Sequence, residues 1–148
     1  MENETLYILL ADDDEGDRLL FTEALEELKM NLIVHAVNNG IELMDCLAIE
    51  DANLPHLIFL DLNMPRKNGL DCLKEIRSNE KLKDISIAIY STSGNENDIE
   101  ETFLYGANVY ITKPNDFNML KQILHKTVTT THLYQANPFN RANFLLKI

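Results

Sequence analysis

The chain has 148 residues, 45% of them hydrophobic, which suits one domain with a substantial core and leaves no room for a second. Its formal net charge is -11, unevenly spread: residues 1–128 hold 11 basic and 24 acidic side chains, a net of -13, while residues 129–148 hold Arg141 and Lys147 and no acid. That balance argues against nucleic acid as a direct ligand, because phosphate neutralisation needs a basic face. No run approaches the ~18 apolar residues of a membrane helix, and Met1-Glu2-Asn3-Glu4 lacks the positive start of a signal peptide, so the expected location is the cytoplasm.

Taken in chain order, apolar runs alternate with helical periods. Leu6–Ala11 reads as a strand and closes on Asp12-Asp13-Asp14; Phe21, Ala24, Leu25 and Leu28 then share one helical face. A second strand, Leu32–Val37, is followed by the break Asn39-Gly40. The third, Leu57–Leu60, closes on Asp61-Leu62-Asn63-Met64-Pro65, with Asn68-Gly69 and the stripe Leu70, Leu73, Ile76 behind it. The fourth, Ile85–Tyr90, is followed by Ser91, Ser93-Gly94 and a helical face of Ile99, Phe103 and Gly106. The fifth, Val109–Thr112, ends at Lys113-Pro114, and Phe117, Leu120 and Leu124 form the last stripe. Five such βα units predict an α/β fold on a doubly wound parallel sheet. The first and third strands are apolar on both faces, as central strands are, so the crevice beside the first should carry the site.

The expected domain is residues 1–127, with 128–148 as an extension. Val128-Thr129-Thr130-Thr131 is a poor helix segment and Pro138 would interrupt a helix, yet Phe139, Phe144, Leu145, Leu146 and Ile148 are too apolar for a free tail. The extension is therefore expected to pack on its own domain or on a partner, a homodimer mate included. Cys46 and Cys72 have no CxxC or metal-ligand spacing and read as apolar packing residues.

Three strand ends carry the chemistry. In a parallel sheet the carboxyl ends of neighbouring strands converge, so Asp12, Asp13, Asp61 and Lys113 become neighbours. Clustered carboxylates raise one another's pKa and normally hold a hard cation or share a proton. Asp61 is the expected nucleophile, able to attack phosphorus and form an acyl phosphate. Asp14, Glu15 and Asp17 suffice to cap the following helix, which frees Asp12 and Asp13 to bind Mg²⁺, Asp13 directly and Asp12 through water, with the backbone carbonyl of Asn63 as a further ligand. Lys113 points a charge at the crevice, where it can pair with Asp61 and then with an added phosphate, and Ser91 offers a hydroxyl to a phosphoryl oxygen. The isomer of the Lys113-Pro114 bond is not legible in the sequence.

Together Asp12-Asp13, Asp61 with Met64-Pro65 and Gly69, Ser91, Gly106-Ala107, Tyr110 and Lys113-Pro114 resemble the receiver domain of two-component response regulators, of the stand-alone, chemotaxis-regulator-like kind, over residues 5 to 127. The resemblance implies a flavodoxin-like (βα)5 fold with strand order 2-1-3-4-5. It implies that Asp61 is the phosphoacceptor, that Asp12 and Asp13 bind the metal, and that Lys113 contacts the phosphate. Ser91 becomes the switch hydroxyl, at a position where threonine is commoner, and Tyr110 the switch aromatic. The donor it implies is a phosphohistidine on a sensor histidine kinase or phosphotransfer protein, and the signal passes to an unknown downstream protein. On this reading the chain is no general enzyme and catalyses only its own phosphorylation and dephosphorylation. Asn63 and Ser93 stand at positions that in this family tune loss of the phosphoryl group. The competing reading is an aspartate-nucleophile, Mg²⁺-dependent phosphohydrolase; such enzymes place a second acid two residues after the nucleophile, where this chain has Asn63. Neither G-x-G-x-x-G nor G-x-x-x-x-G-K-[ST] occurs, which argues against nucleotide binding.

Overall fold

The computed structural model describes residues 5–49, 53–130 and 144–145. Strands β1 (Leu6–Ala11), β2 (Leu32–Val37), β3 (Leu57–Leu60), β4 (Ser86–Ser91) and β5 (Val109–Thr112) alternate with helices α1 (Glu15–Glu27), α2 (Gly40–Leu47), α3 (Gly69–Arg77), α4 (Glu96–Leu104) and α5 (Phe117–Thr129). The strands form one parallel sheet in the order β2-β1-β3-β4-β5, the doubly wound arrangement expected. Four strands fall where periodicity places them. The fourth lies one residue later, because Ser91 still pairs with Thr112 of β5 and so closes the strand instead of following it.

Strand parity sorts the core into two layers. Ile8, Leu10, Leu57, Phe59, Ala88, Tyr90, Val109 and Ile111 face α1 and α5, where Phe21, Ala24, Leu25, Leu120, Ile123 and Leu124 cover them. Leu9, Ala11, Ile58, Leu60, Ile87, Ile89 and Tyr110 face α2, α3 and α4. In the first layer Phe21, Phe59 and Tyr90 meet edge to face at centroid distances of 4.8, 5.5 and 6.2 Å, each contact contributing roughly 0.5–1.5 kcal/mol beyond its buried area.

Two of the glycine breaks are helix starts. Asn39 and Asn68 accept at their side-chain oxygens from the amides of Glu42 and Asp71, as N-caps do. Glycine follows each because the backbone approaches closely there: a methyl at Gly69 would run into the Asp61 carbonyl, and one at Gly40 into that of Lys67. Cys72 is buried in the second layer and Cys46 packs against it, both as free thiols.

α5 continues to Thr129, past the point where β-branched residues were expected to end it. Val128 is buried, and the hydroxyls of Thr127 and Thr129 bond back to the carbonyls of Ile123 and His125. Packing thus overrides propensity. Among the described residues no peptide bond is cis, so Lys113-Pro114 is trans. Phe144 is buried edge-on against Phe103 (5.2 Å) and Tyr110 (6.2 Å), and Leu145 bridges in parallel to Tyr110 at the free edge of β5. Pro138, Phe139, Leu146 and Ile148 lie outside the described residues.

Candidate functional site

The registers of the sheet assemble the site. Ala11 pairs with Leu60, so the next residues of β1 and β3, Asp12 and Asp61, emerge side by side, and the Asp61 amide donates to the Ala11 carbonyl at 3.0 Å. Ser91 pairs with Thr112, so Lys113 follows at the adjacent end, its amide donating to the Ser91 carbonyl at 2.8 Å. Counting in twos from the core places Asp12, Asp61 and Lys113 on the α1/α5 side of the sheet with Tyr90, and Ser91 and Tyr110 on the α3/α4 side.

Side-chain carboxylate oxygens of Asp12, Asp13 and Asp61 all lie within 4.8 Å of one another, close enough to ligate one ion. Asp12 is fully buried, Asp61 is 5% exposed, and Asp13 is open to solvent. Lys113 donates from Nζ to Asp12 at 2.8 Å, to Asp17 at 2.8 Å and to Asp61 at 3.5 Å, and lies 5.2 Å over the Tyr90 ring. Burial pushes the Asp61 carboxyl up to about 6; Lys113 opposes the rise, the neighbouring Asp12 adds to it, and the Asn63 amide at 3.2 Å restrains it. Burial also opposes the charge on Lys113, but its bonds to Asp12 and Asp17 and the field of Asp61 outweigh that and raise its pKa. A lysine here stays cationic throughout the physiological range.

On the other face, the Ser91 hydroxyl is buried and accepts from the Ser93 amide at 3.1 Å. The Tyr110 ring is buried, and its hydroxyl donates to the Ser93 carbonyl at 2.7 Å. The Ser93 hydroxyl in turn donates to Asp98 of α4 at 2.7 Å. One serine therefore links the end of β4, β5 and α4. The residue two places after Asp61, Asn63, is exposed and carries no acid for general catalysis.

Two contributors escape sequence reading. Asp17, which the sequence offers as a capping acid of α1, bonds Lys113; the cap is Asp14, which accepts from the Asp17 amide at 2.9 Å. Arg18 donates from Nη1 to the Asp12 carbonyl at 2.7 Å and braces the loop that carries the acids. Both lie on the first turns of α1, and only knowing that α1 covers the face from which Lys113 emerges would have singled them out.

A parallel five-stranded sheet with clustered acids and a lysine at its carboxyl end defines a receiver. The chain belongs to the response regulator receiver domain family, whose model matches residues 8–125. It is 33% identical over 122 residues to response regulator Rcp1 of Synechocystis sp., covering 80% of this chain and 83% of that one. It is 32% identical over 126 residues to chemotaxis protein CheY1 of Helicobacter pylori, covering 84% and 98%. Among solved structures, the phosphorylated cyanobacterial phytochrome response regulator RcpA superposes with a TM-score of 0.81 at 35% identity, covering 87% of this chain and 95% of that one. The Mn²⁺-bound form of Rcp1 gives 0.76 at 28% identity, covering 91% and 99%. Members of this family signal as phosphoacceptors and are not classical enzymes, and the acidic trio here fits the divalent metal that receivers hold.

Proposed function

We propose that Asp61 takes a phosphoryl group from a phosphohistidine of a sensor histidine kinase or phosphotransfer protein, and that the resulting acyl phosphate shifts the chain between two packings. The observation that carries this reading is the convergence of three carboxylates and the Lys113 ammonium on the end of β3. An Asp61 oxygen attacks phosphorus, the P–N bond to the donor imidazole breaks, and the imidazole leaves with a proton. Hydrolysis of the acyl phosphate by water restores the carboxylate, so the protein catalyses only its own charging and discharge. Asp12, Asp13, Asp61 and the Asn63 carbonyl would hold Mg²⁺, which neutralises phosphoryl charge when bound.

The chain's own groups do the rest. Lys113 balances the charge added at Asp61, and Ser91 turns its hydroxyl from the Ser93 amide toward a phosphoryl oxygen. That exchange releases an amide in the loop on which Tyr110 is hydrogen-bonded, so the ring and the loop respond together. The phosphate moves this equilibrium only by its differential contacts in the two packings. The output surface is the face of α4, β5 and α5. Beyond α5, Phe144 and Leu145 pack against β5, as an extension of the receiver would, and a downstream protein reads that face in the cytoplasm.

The test is incubation with Mg²⁺ and acetyl phosphate followed by intact mass spectrometry. One base-labile phosphoryl group is expected on the wild-type chain and none on Asp61→Asn. No adduct on the wild type, or an undiminished one on the variant, would reject the acceptor role, and turnover of phosphate esters would favour a hydrolase.

A further inference from the structure

We propose that Asp17 is the resting partner of Lys113, a positioning residue that holds the ammonium away from Asp61 and so restrains phosphoryl uptake. The inference rests on the acceptor reading above and assigns a part to a residue outside the acidic trio.

Lys113 reaches three carboxylates, and its two short contacts are to Asp12 and Asp17, both 2.8 Å; the one to Asp61 is 3.5 Å. The ammonium is thus drawn toward α1, away from the group on which charge must build. Asp17 is held for this contact by its own backbone, since its amide donates to the Asp14 side chain at the start of α1. Strand parity directs Lys113 to the face that α1 covers, so the first turn of that helix is the nearest source of a further acid.

The three carboxylates differ in how readily they let the lysine go. Asp12 is fully buried, and its other oxygen accepts from the Asp14 amide at 3.0 Å. Stripping it of the ammonium would leave a buried anion without its counter-charge. The Asp17 side chain is 35% exposed and lies outside the trio able to hold an ion, so water can replace the lysine there. When a phosphoryl group is transferred to Asp61, Lys113 can turn to it while keeping Asp12, and the contact it gives up is the one to Asp17. Wild-type protein must break that contact on the way to the charged state; a chain without it need not. The expected effect is the factor an exposed ion pair supplies, about two- to fivefold.

A simpler role would be that of an acid favouring the positive end of the α1 dipole. Glu15 occupies the same first turn, is exposed, and serves as the control for bulk charge. Initial rates of uptake from acetyl phosphate at saturating Mg²⁺ are to be compared for wild type, Asp17→Asn, Asp17→Glu and Glu15→Gln. Asp17→Asn should be two- to fivefold faster, while Asp17→Glu and Glu15→Gln should match wild type. Separately, urea unfolding of metal-free wild type, Asp17→Asn, Lys113→Met and the double variant should show coupling between the two sites. Asp17→Asn at or below the wild-type rate, equal acceleration by Glu15→Gln, or additive effects on stability would overturn the proposal. Failure of the wild type itself to take up phosphate would reject the acceptor reading instead, and the unfolding cycle would still decide the pairing.

Discussion

Replacing Asp61 by asparagine should make the metal-free protein more stable at neutral pH, although it removes the proposed phosphoacceptor. The Asp61 carboxyl stands at about 6 against an ordinary 3.8, chiefly through burial and then through Asp12, with the attraction of Lys113 already counted against the rise. A group whose pKa is raised by folding binds its proton more tightly in the native state than in the unfolded one. The contribution of Asp61 to stability is therefore greatest below about pH 4, is lost as pH climbs through about 6, and is level above that. The difference between the two pKa values sets a ceiling of about 3 kcal/mol at pH 7.5, lowered by the solvent that reaches the site at the exposed Asp13. Asparagine keeps the volume, cannot ionise, and can still accept from the Asn63 amide through Oδ1. Asp61→Asn should thus gain up to about 3 kcal/mol over wild type at pH 7.5 and nothing at pH 4, equivalent to roughly 6–12 °C in Tm for a chain of this size. Urea unfolding in chelator, followed by far-UV circular dichroism and tyrosine fluorescence, reads the gap; the chain has no tryptophan to mask its five tyrosines. Saturating Mg²⁺ should narrow it, because the ion stabilises the intact site more than the substituted one. A variant no more stable than wild type at pH 7.5, or a gap equal at pH 4 and 7.5, would refute the reasoning.

Gly69→Ala forces α3 off the β3 loop, since its methyl would meet the Asp61 carbonyl; stability should fall by about 2 kcal/mol or more and divalent-ion affinity with it, read by unfolding and by ion titration. Arg77 donates to the carbonyls of Gly106 (2.8 Å), Lys83 (2.8 Å) and Ile85 (2.7 Å) and to the Asn108 side chain (2.9 Å), and burial lowers its pKa to about 10. Arg77→Met strips the end of α3 of its bonds to the turns before β4 and β5 at once and should cost about 2–4 kcal/mol in urea unfolding, with uptake of phosphate retained. Phe144→Ala removes the ring packed edge to face against Tyr110 and Phe103; hydrogen exchange at β5 amides and tyrosine fluorescence should change, while global stability moves less than the ~3–5 kcal/mol of a core Phe→Ala, because Phe144 lies outside the five βα units that build the sheet.

What the sequence determined by itself is considerable, and the reason is locality. A buried parallel strand must be apolar on both faces and must end where polar residues begin, so Leu6–Ala11, Leu57–Leu60 and Val109–Thr112 announce their own limits, and with them Asp12, Asp61 and Lys113. The family motifs then supply what periodicity cannot: which strand end to propose as the acceptor, and the switch role expected of Tyr110. Where local preference and packing disagree, packing prevails: α5 runs on to Thr129 because Val128 has a core to enter, and β4 includes Ser91 because β5 lies beside it. Other features belong to the tertiary structure alone. The pairing of Lys113 with Asp17 spans 96 residues, the Arg77 brackets join α3 to the turns before β4 and β5, and the bridge from Tyr110 to Leu145 depends on β5 being an edge. Each is decided by which element comes to lie over which face of the sheet, a consequence of strand order and parity, and no residue carries that information in its own neighbourhood of the chain.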